Sequence, residues 1–138
     1  MITITKQKEL VAAAMNVRGE AWAPYSQFRV GAALLTADGE IITGVNMESS
    51  SYGLSVCAER NTIACAVAKG KREFTAMAVV SRGGVTPCGA CRQVIYDLCG
   101  NIDIVLADET GAIKNTTTTQ ELLPFAFGDK DLASSGDL

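Results

Sequence analysis

The chain contains no histidine, and that absence excludes more chemistry than any single residue supplies. Without an imidazole there is no Ser-His-Asp or Cys-His nucleophile and no His-ligated metal or haem. Positive charge is also short: 12 lysines and arginines stand against 15 acidic residues, a net charge of −3. Nucleic-acid binding draws most of its affinity from clustered Lys and Arg meeting phosphates, so a polyanionic partner is not expected. The one basic cluster, Lys69-Gly70-Lys71-Arg72, reads better as a helix C-terminus. No apolar run approaches the roughly 20 residues that span a bilayer, and the N-terminus lacks the charged-then-apolar layout of a signal peptide. The expectation is a soluble, cytoplasmic protein with no membrane contact.

What is present suits a globular chain: 48% hydrophobic and 20% charged residues. At 138 residues, residues 1–138 form one expected domain, large enough to bury about two-thirds of its unfolded surface without disulfides. Apolar positions Leu10, Val11, Ala14, Met15, Val17 and Ala21 predict a helix from Thr5 to Trp22, ended by Pro24. Val30 to Thr36 and Ile41 to Val45 flank Asp38-Gly39, a hairpin signal. A second helix is expected from Val56 to Lys69, with Ser55 as cap and Gly70 as stop. Met77 to Val80 is a strand, and Thr86-Pro87 opens a third helix that begins with Cys88 and ends near Gly100. Ile102 to Ala107 and Ala112 to Asn115 complete the strands, and the tail after Leu132 is expected to fray. This order predicts an α/β fold: a mixed, about five-stranded sheet between helices on both faces, a three-layer α/β/α sandwich. Both strand-helix-strand units would bring a cysteine motif to the carboxyl edge of the sheet.

Those motifs are Cys57-Ala58-Glu59 and Pro87-Cys88-Gly89-Ala90-Cys91. Five cysteines is an odd number, and in a reducing compartment Cys-x-x-Cys signals metal or redox chemistry more often than a disulfide. A catalytic zinc keeps three protein ligands and one open position, whereas a structural zinc is closed by four. Cys57, Cys88 and Cys91 supply three, at two helix starts whose dipoles favour thiolates. Three thiolates leave the centre at a formal −1, so a cation is needed nearby, and Arg60 is the candidate. Glu59, two residues past a ligand, is placed to shuttle protons. Cys65 and Cys99, each eight residues after a proposed ligand, are read as core thiols. A structural zinc, a solvated Glu59 at a helix start, or an unrelated partner for Arg60 remain alternatives at this point.

The same motifs, with Pro24-Tyr25-Ser26-Gln27-Phe28-Arg29-Val30-Gly31-Ala32-Ala33, Gly44-Val45-Asn46-Met47-Glu48, Arg92-Gln93 and Glu121-Leu122-Leu123-Pro124-Phe125-Ala126-Phe127-Gly128, resemble the small cytidine deaminases with three cysteine ligands. The zinc-deaminase signature is itself a known pattern. The resemblance implies one Zn2+ per chain and hydrolytic deamination of free cytidine or deoxycytidine, with Glu59 protonating N3 and then the leaving amine. It implies that Asn46 and Glu48 bind the ribose 3′-hydroxyl, that Phe28 packs on the pyrimidine, and that the backbone at Ala58 reads the base. It further implies a homotetramer in which Phe127 reaches the base from a neighbouring subunit and Tyr52 lies at the interface. Ser49 and Ser50 depart from the Asn and Ala frequent in that family. Two readings compete: a blasticidin-S deaminase, against which Glu48 speaks because it suits a neutral ribose diol, and a zinc-stabilised binding module without catalysis.

Overall fold

Gln7, Leu10, Val11 and Ala14 form the buried stripe of the first helix, α1 (Ile4–Arg18), in the computed structural model, which describes residues 1–133. Thr3 caps it by accepting from the Lys6 amide. The helix stops short of the expected Trp22. Gly19 ends it, and Trp22 instead bridges to Met47 in extended pairing. The strands β1 (Gly31–Thr36) and β2 (Ile41–Val45) form the expected hairpin around Asp38-Gly39, where Gly39 takes φ +91.

After a short 3-10 turn at Tyr52–Leu54 come α2 (Ala58–Ala68), β3 (Phe74–Val80), α3 (Gly89–Cys99), β4 (Asp103–Ala107) and β5 (Ile113–Thr118). Gly70, φ +81, lies just beyond α2 as the sequence predicts. β5 continues past the expected Asn115 through Thr116–Thr118, β-branched residues that suit a strand. The short helices α4 (Thr119–Leu122) and α5 (Asp129–Ala133) follow. Ala133 is therefore helical, and the rest of the tail expected to fray lies outside the described residues. Among the described residues no helix is long and apolar enough to cross a membrane.

The sheet order is β2-β1-β3-β4-β5, with β3 and β4 parallel and the other neighbours antiparallel. Alternation along the strands separates two cores. Ala33, Leu35, Ala76, Ala78, Val80 and Val105 face α1, while Leu34, Met77, Val79, Ile104 and Leu106 face Ile63 and Ala66 of α2 and Ile95 of α3. Helices thus cover both faces. Each face has a glycine where a helix comes close: a Cβ on Gly31 would lie 2.2 Å from the Ala14 carbonyl oxygen, and one on Gly44 would lie 2.4 Å from Thr62 Oγ1. Val45 and Val80 both pair with Gly31, and Val80 also pairs with Ala107, so β2, β3 and β4 end at one edge. The segments leading to Cys57 and Cys88 leave from that edge.

Candidate metal centre

Cys57 and Cys88 occupy equivalent positions. Each is the extended N-cap residue of its helix, α2 or α3, and neither sulfur caps the helix. This corrects the helix starts expected from Ser55 and Thr86-Pro87. Two tertiary interactions move them. Asn61 Nδ2 donates to the Val45 carbonyl at 2.8 Å and to the Val56 carbonyl at 3.5 Å, holding the chain before Cys57 extended. Arg92 donates to the Pro87 carbonyl at 2.8 Å, to Thr86 Oγ1 at 2.9 Å and to the Leu122 carbonyl at 2.8 Å. The sequence shows Arg92 in a motif but gives no sign of this clamp.

The sulfurs of Cys57, Cys88 and Cys91 all lie within 4.8 Å of one another, and Cys57 and Cys88 are 3.7 Å apart. Tetrahedral zinc with Zn–S bonds of about 2.3 Å requires sulfurs about 3.8 Å apart. The donor set therefore fits one zinc ion. Among the described residues no further Cys, Asp or Glu joins the cluster, which leaves a fourth position open.

Arg60 Nη2 donates to Cys57 Sγ at 3.4 Å, while its buried Nε has no hydrogen-bond partner among the described residues. The cation is held chiefly by sulfur. Hydrogen bonding to Cys57 and then Cys91 raises the guanidinium pKa further. The Cys57 thiol is lowered to about 5, first by hydrogen bonding to Cys91, with Arg60 and Cys88 contributing. Cys91 is raised by the same bond to Cys57 and by burial. Glu59, 4% exposed, is pushed up to about 7 by burial, with the negative charge on Cys57 adding to the rise.

Cys57, Glu59 and Cys88 line a cavity of about 350 Å³ together with Phe28, Asn46 and Glu48. Five predicted site residues therefore share this cavity with Cys88. Cys91 lies buried behind it. Asn46 Oδ1 accepts from the Val30 amide at 2.9 Å, and its Nδ2 donates to the Phe28 carbonyl at 2.8 Å. Glu48 accepts from the amides of Tyr25 and Ser26 at 3.0 and 3.1 Å and from the Ser26 hydroxyl. The Ser26 hydroxyl is the leading cause of the lowered Glu48 pKa. Both side chains thus shape the Phe28 loop, a task that sequence reading did not assign them.

Other predicted residues fall outside the cavity. Ala58 is fully buried as the first residue of α2. Phe127 is 59% exposed, and its carbonyl accepts from Gln93 Nε2 at 2.8 Å. Tyr52 is exposed and pairs with Tyr25, ring centroids 5.8 Å apart. Cys65 is exposed, which corrects its reading as a core thiol; its position on α2 turns away from the sheet. Cys99 is partly buried against the α2/α3 core and pushed up to about 12 by burial. Ser81, Val85 and Thr86, which no motif singled out as substrate-facing, also line the cavity.

Residues 4–107 match the family described as the cytidine and deoxycytidylate deaminase zinc-binding region. This chain belongs to that family. A cytidine deaminase of Sporosarcina psychrophila is 45% identical over 133 residues, 94% of this chain and 97% of that protein. The crystal structure of cytidine deaminase from Burkholderia pseudomallei superposes with a TM-score of 0.84 at 44% identity, covering 91% of this chain and all of that one. A blasticidin-S deaminase of Bacillus cereus is more distant, 32% identical over 112 residues, 74% of this chain and 79% of that protein. The family that the motifs resemble and the α/β fold expected from the order of elements are both borne out.

Proposed function

We propose that this chain hydrolyses free cytidine and deoxycytidine to uridine and deoxyuridine plus ammonia, as a cytoplasmic enzyme of pyrimidine salvage. The observation that carries this reading is a buried carboxyl, Glu59, beside three clustered sulfurs at a cavity that Phe28, Asn46 and Glu48 also line. Cys57, Cys88 and Cys91 would hold the zinc ion, which would supply Lewis acidity and lower the pKa of a bound water.

The remaining chemistry falls to the chain's own residues. Glu59 receives a proton from the attacking water and passes it to N3 as the oxygen joins C4, then takes the remaining proton from the new C4 hydroxyl and delivers it to the departing amine, so that ammonia leaves as the C4 carbonyl forms. A carboxyl pushed up to about 7 gives and takes protons near neutral pH. Arg60 offsets the negative charge of the sulfur cluster. Phe28 packs on the pyrimidine and the Ala58 backbone reads its edge. Asn46 and Glu48 retain hydrogen-bonding capacity beyond their loop contacts, and that capacity suits a ribose hydroxyl.

Residues 1–138 act in this reading as a single domain, and four copies assemble so that Phe127 enters a neighbouring site. The exposure of Phe127 and Tyr52, 59% and 74%, favours such an assembly.

The test measures zinc per chain and ammonia release from cytidine, deoxycytidine and blasticidin S on one preparation, with sedimentation to give the assembly state. Release from both nucleosides and little from blasticidin S is expected. Bound zinc with no turnover on any of the three would favour a binding module, and an active monomer would remove Phe127 from the site.

A further inference from the structure

The cavity has two walls from distant parts of the chain. Ser26, Phe28 and Val30 form one, and Ser81, Val85 and Thr86 form the other. The first wall is fixed through its backbone. Phe28's amide donates to Ser26 Oγ at 3.0 Å, its carbonyl accepts from Asn46, and the preceding Gln27 holds φ +57, a conformation few non-glycine residues adopt. The second wall is fixed as firmly. Ser81, fully buried at the end of β3, accepts from the Gly84 amide with its carbonyl at 3.1 Å and from the Val85 amide with Oγ at 3.2 Å. Gly83 donates to Glu109 at 2.9 Å.

Arg82 lies between these anchors, and its guanidinium carbon sits 5.3 Å from the centroid of the Phe28 ring. Phe28 lines the cavity and Arg82 does not. The cation is thus set over a ring that lines the cavity, without lining it itself. Backbone hydrogen bonds hold Phe28's Cα but leave its ring free to turn about χ1 and χ2. A cation over the ring restrains that rotation and ties the two walls together.

We propose that Arg82 is a positioning residue for the Phe28 ring, holding it ready to receive the base of the substrate. This rests on the nucleoside-deaminase reading given above. The contribution falls on substrate binding and not on proton transfer, because Arg82 lies outside the cavity that Glu59 lines. At an exposed site a cation over an aromatic ring corresponds to about a two- to fivefold change in an equilibrium.

The experiment compares Arg82→Ala, Arg82→Lys and Arg82→Met, assayed on cytidine and cytidine 5′-monophosphate, with zinc content and Tm recorded for each. Arg82→Ala should raise KM for cytidine about two- to fivefold with kcat nearly unchanged. Arg82→Lys, which keeps a cation, should restore KM. Arg82→Met, which keeps length without charge, should not, and it carries the test if the alanine variant fails to fold. In a Phe28→Leu background, Arg82→Ala should have no further effect on KM. An unchanged KM in Arg82→Ala, equal rescue by Met and Lys, or an effect confined to the monophosphate would each overturn the proposal. The parent protein separates this from the parent reading: if it releases no ammonia from cytidine, the deaminase assignment fails before any Arg82 variant is compared.

Discussion

Two carboxyls near the carboxyl edge of the sheet, each with little surface of its own exposed, are driven in opposite directions. Glu59, 4% exposed, is pushed up to about 7, whereas Asp108, 8% exposed, is held at about 2. The difference lies in depth and in donors: burial is the leading cause at Glu59, whereas the Thr110 hydroxyl leads at Asp108, which lies close to the surface. Asp108 ends β4 in a tight turn, where it accepts from the Thr110 hydroxyl at 2.6 Å and from the amides of Thr110 and Ala112 at 2.9 and 3.2 Å, and it pairs with Lys114 at 3.4 Å. Glu59 has burial and the Cys57 charge against it, with only its own backbone amide and Arg60 lowering its pKa. A carboxyl surrounded by donors is locked as an anion and serves the turn. One denied them can exchange protons with a ligand.

The largest expected effect breaks the Glu59 side of that contrast. Glu59→Gln removes the exchangeable proton while keeping size and burial, and kcat should fall at least about 10³-fold. Zinc content and Tm should stay near those of the parent, because the side chain is not among the clustered sulfur donors. Steady-state kinetics alongside metal analysis checks both. Retained turnover would remove Glu59 from the reaction.

A smaller effect is expected at Arg60, whose buried Nε lacks a partner and whose Nη2 reaches Cys57. Arg60→Met should weaken zinc affinity by about 10- to 100-fold, the usual loss when a group supporting a metal ligand is removed. Competition with a chromogenic chelator measures this directly. Affinity equal to the parent's would mean that the helix starts alone stabilise the thiolates.

Much of this edge was legible in the sequence because the missing histidines left so few ways to bind a metal. Cys57, Glu59, Cys88 and Cys91 followed as candidates from residue type and spacing, and the sheet covered by helices on both faces followed from the order of helices and strands along the chain. Less legible was whatever depended on contacts between distant segments. Ser55 and Thr86-Pro87 carry good local helix-start signals, yet Asn61 and Arg92 override them and make the cysteines the caps. The family resemblance marked Asn46 and Glu48 as ribose-binding candidates, but not as the braces of the Phe28 loop, since their partners at Tyr25, Ser26 and Val30 lie far away in sequence. The Arg82–Phe28 contact had no signal for the same reason.

On the Asp108 side, the sign of the shift sets the pH window. Its folded pKa of about 2 lies below the ordinary aspartate value of 3.8, so the carboxylate's contribution is fully present above 3.8 and is lost as pH falls through about 2. Asp108→Asn should lower Tm at neutral pH and narrow the difference from the parent below pH 4. Thermal scans from pH 7 to pH 2.5 test this. A difference that stays constant across that range would place the effect in side-chain geometry and not in charge.

The opposite edge sharpens the contrast with the smallest expected effect. There Lys71 bridges Asp38 at 2.9 Å and Glu40 at 3.0 Å, and Lys69 reaches Glu40 at 3.4 Å. These charges face water, which screens them and already solvates each partner well. Lys71 lowers the pKa of both acids, after Thr36 in the case of Asp38, but such shifts on exposed groups translate weakly into stability. Lys71→Met should lower Tm by no more than about 3 °C, and 1 M salt should abolish most of that difference. A larger, salt-insensitive loss would show that the aliphatic stem of Lys71, and not its charge, holds the β1–β2 turn against the end of α2.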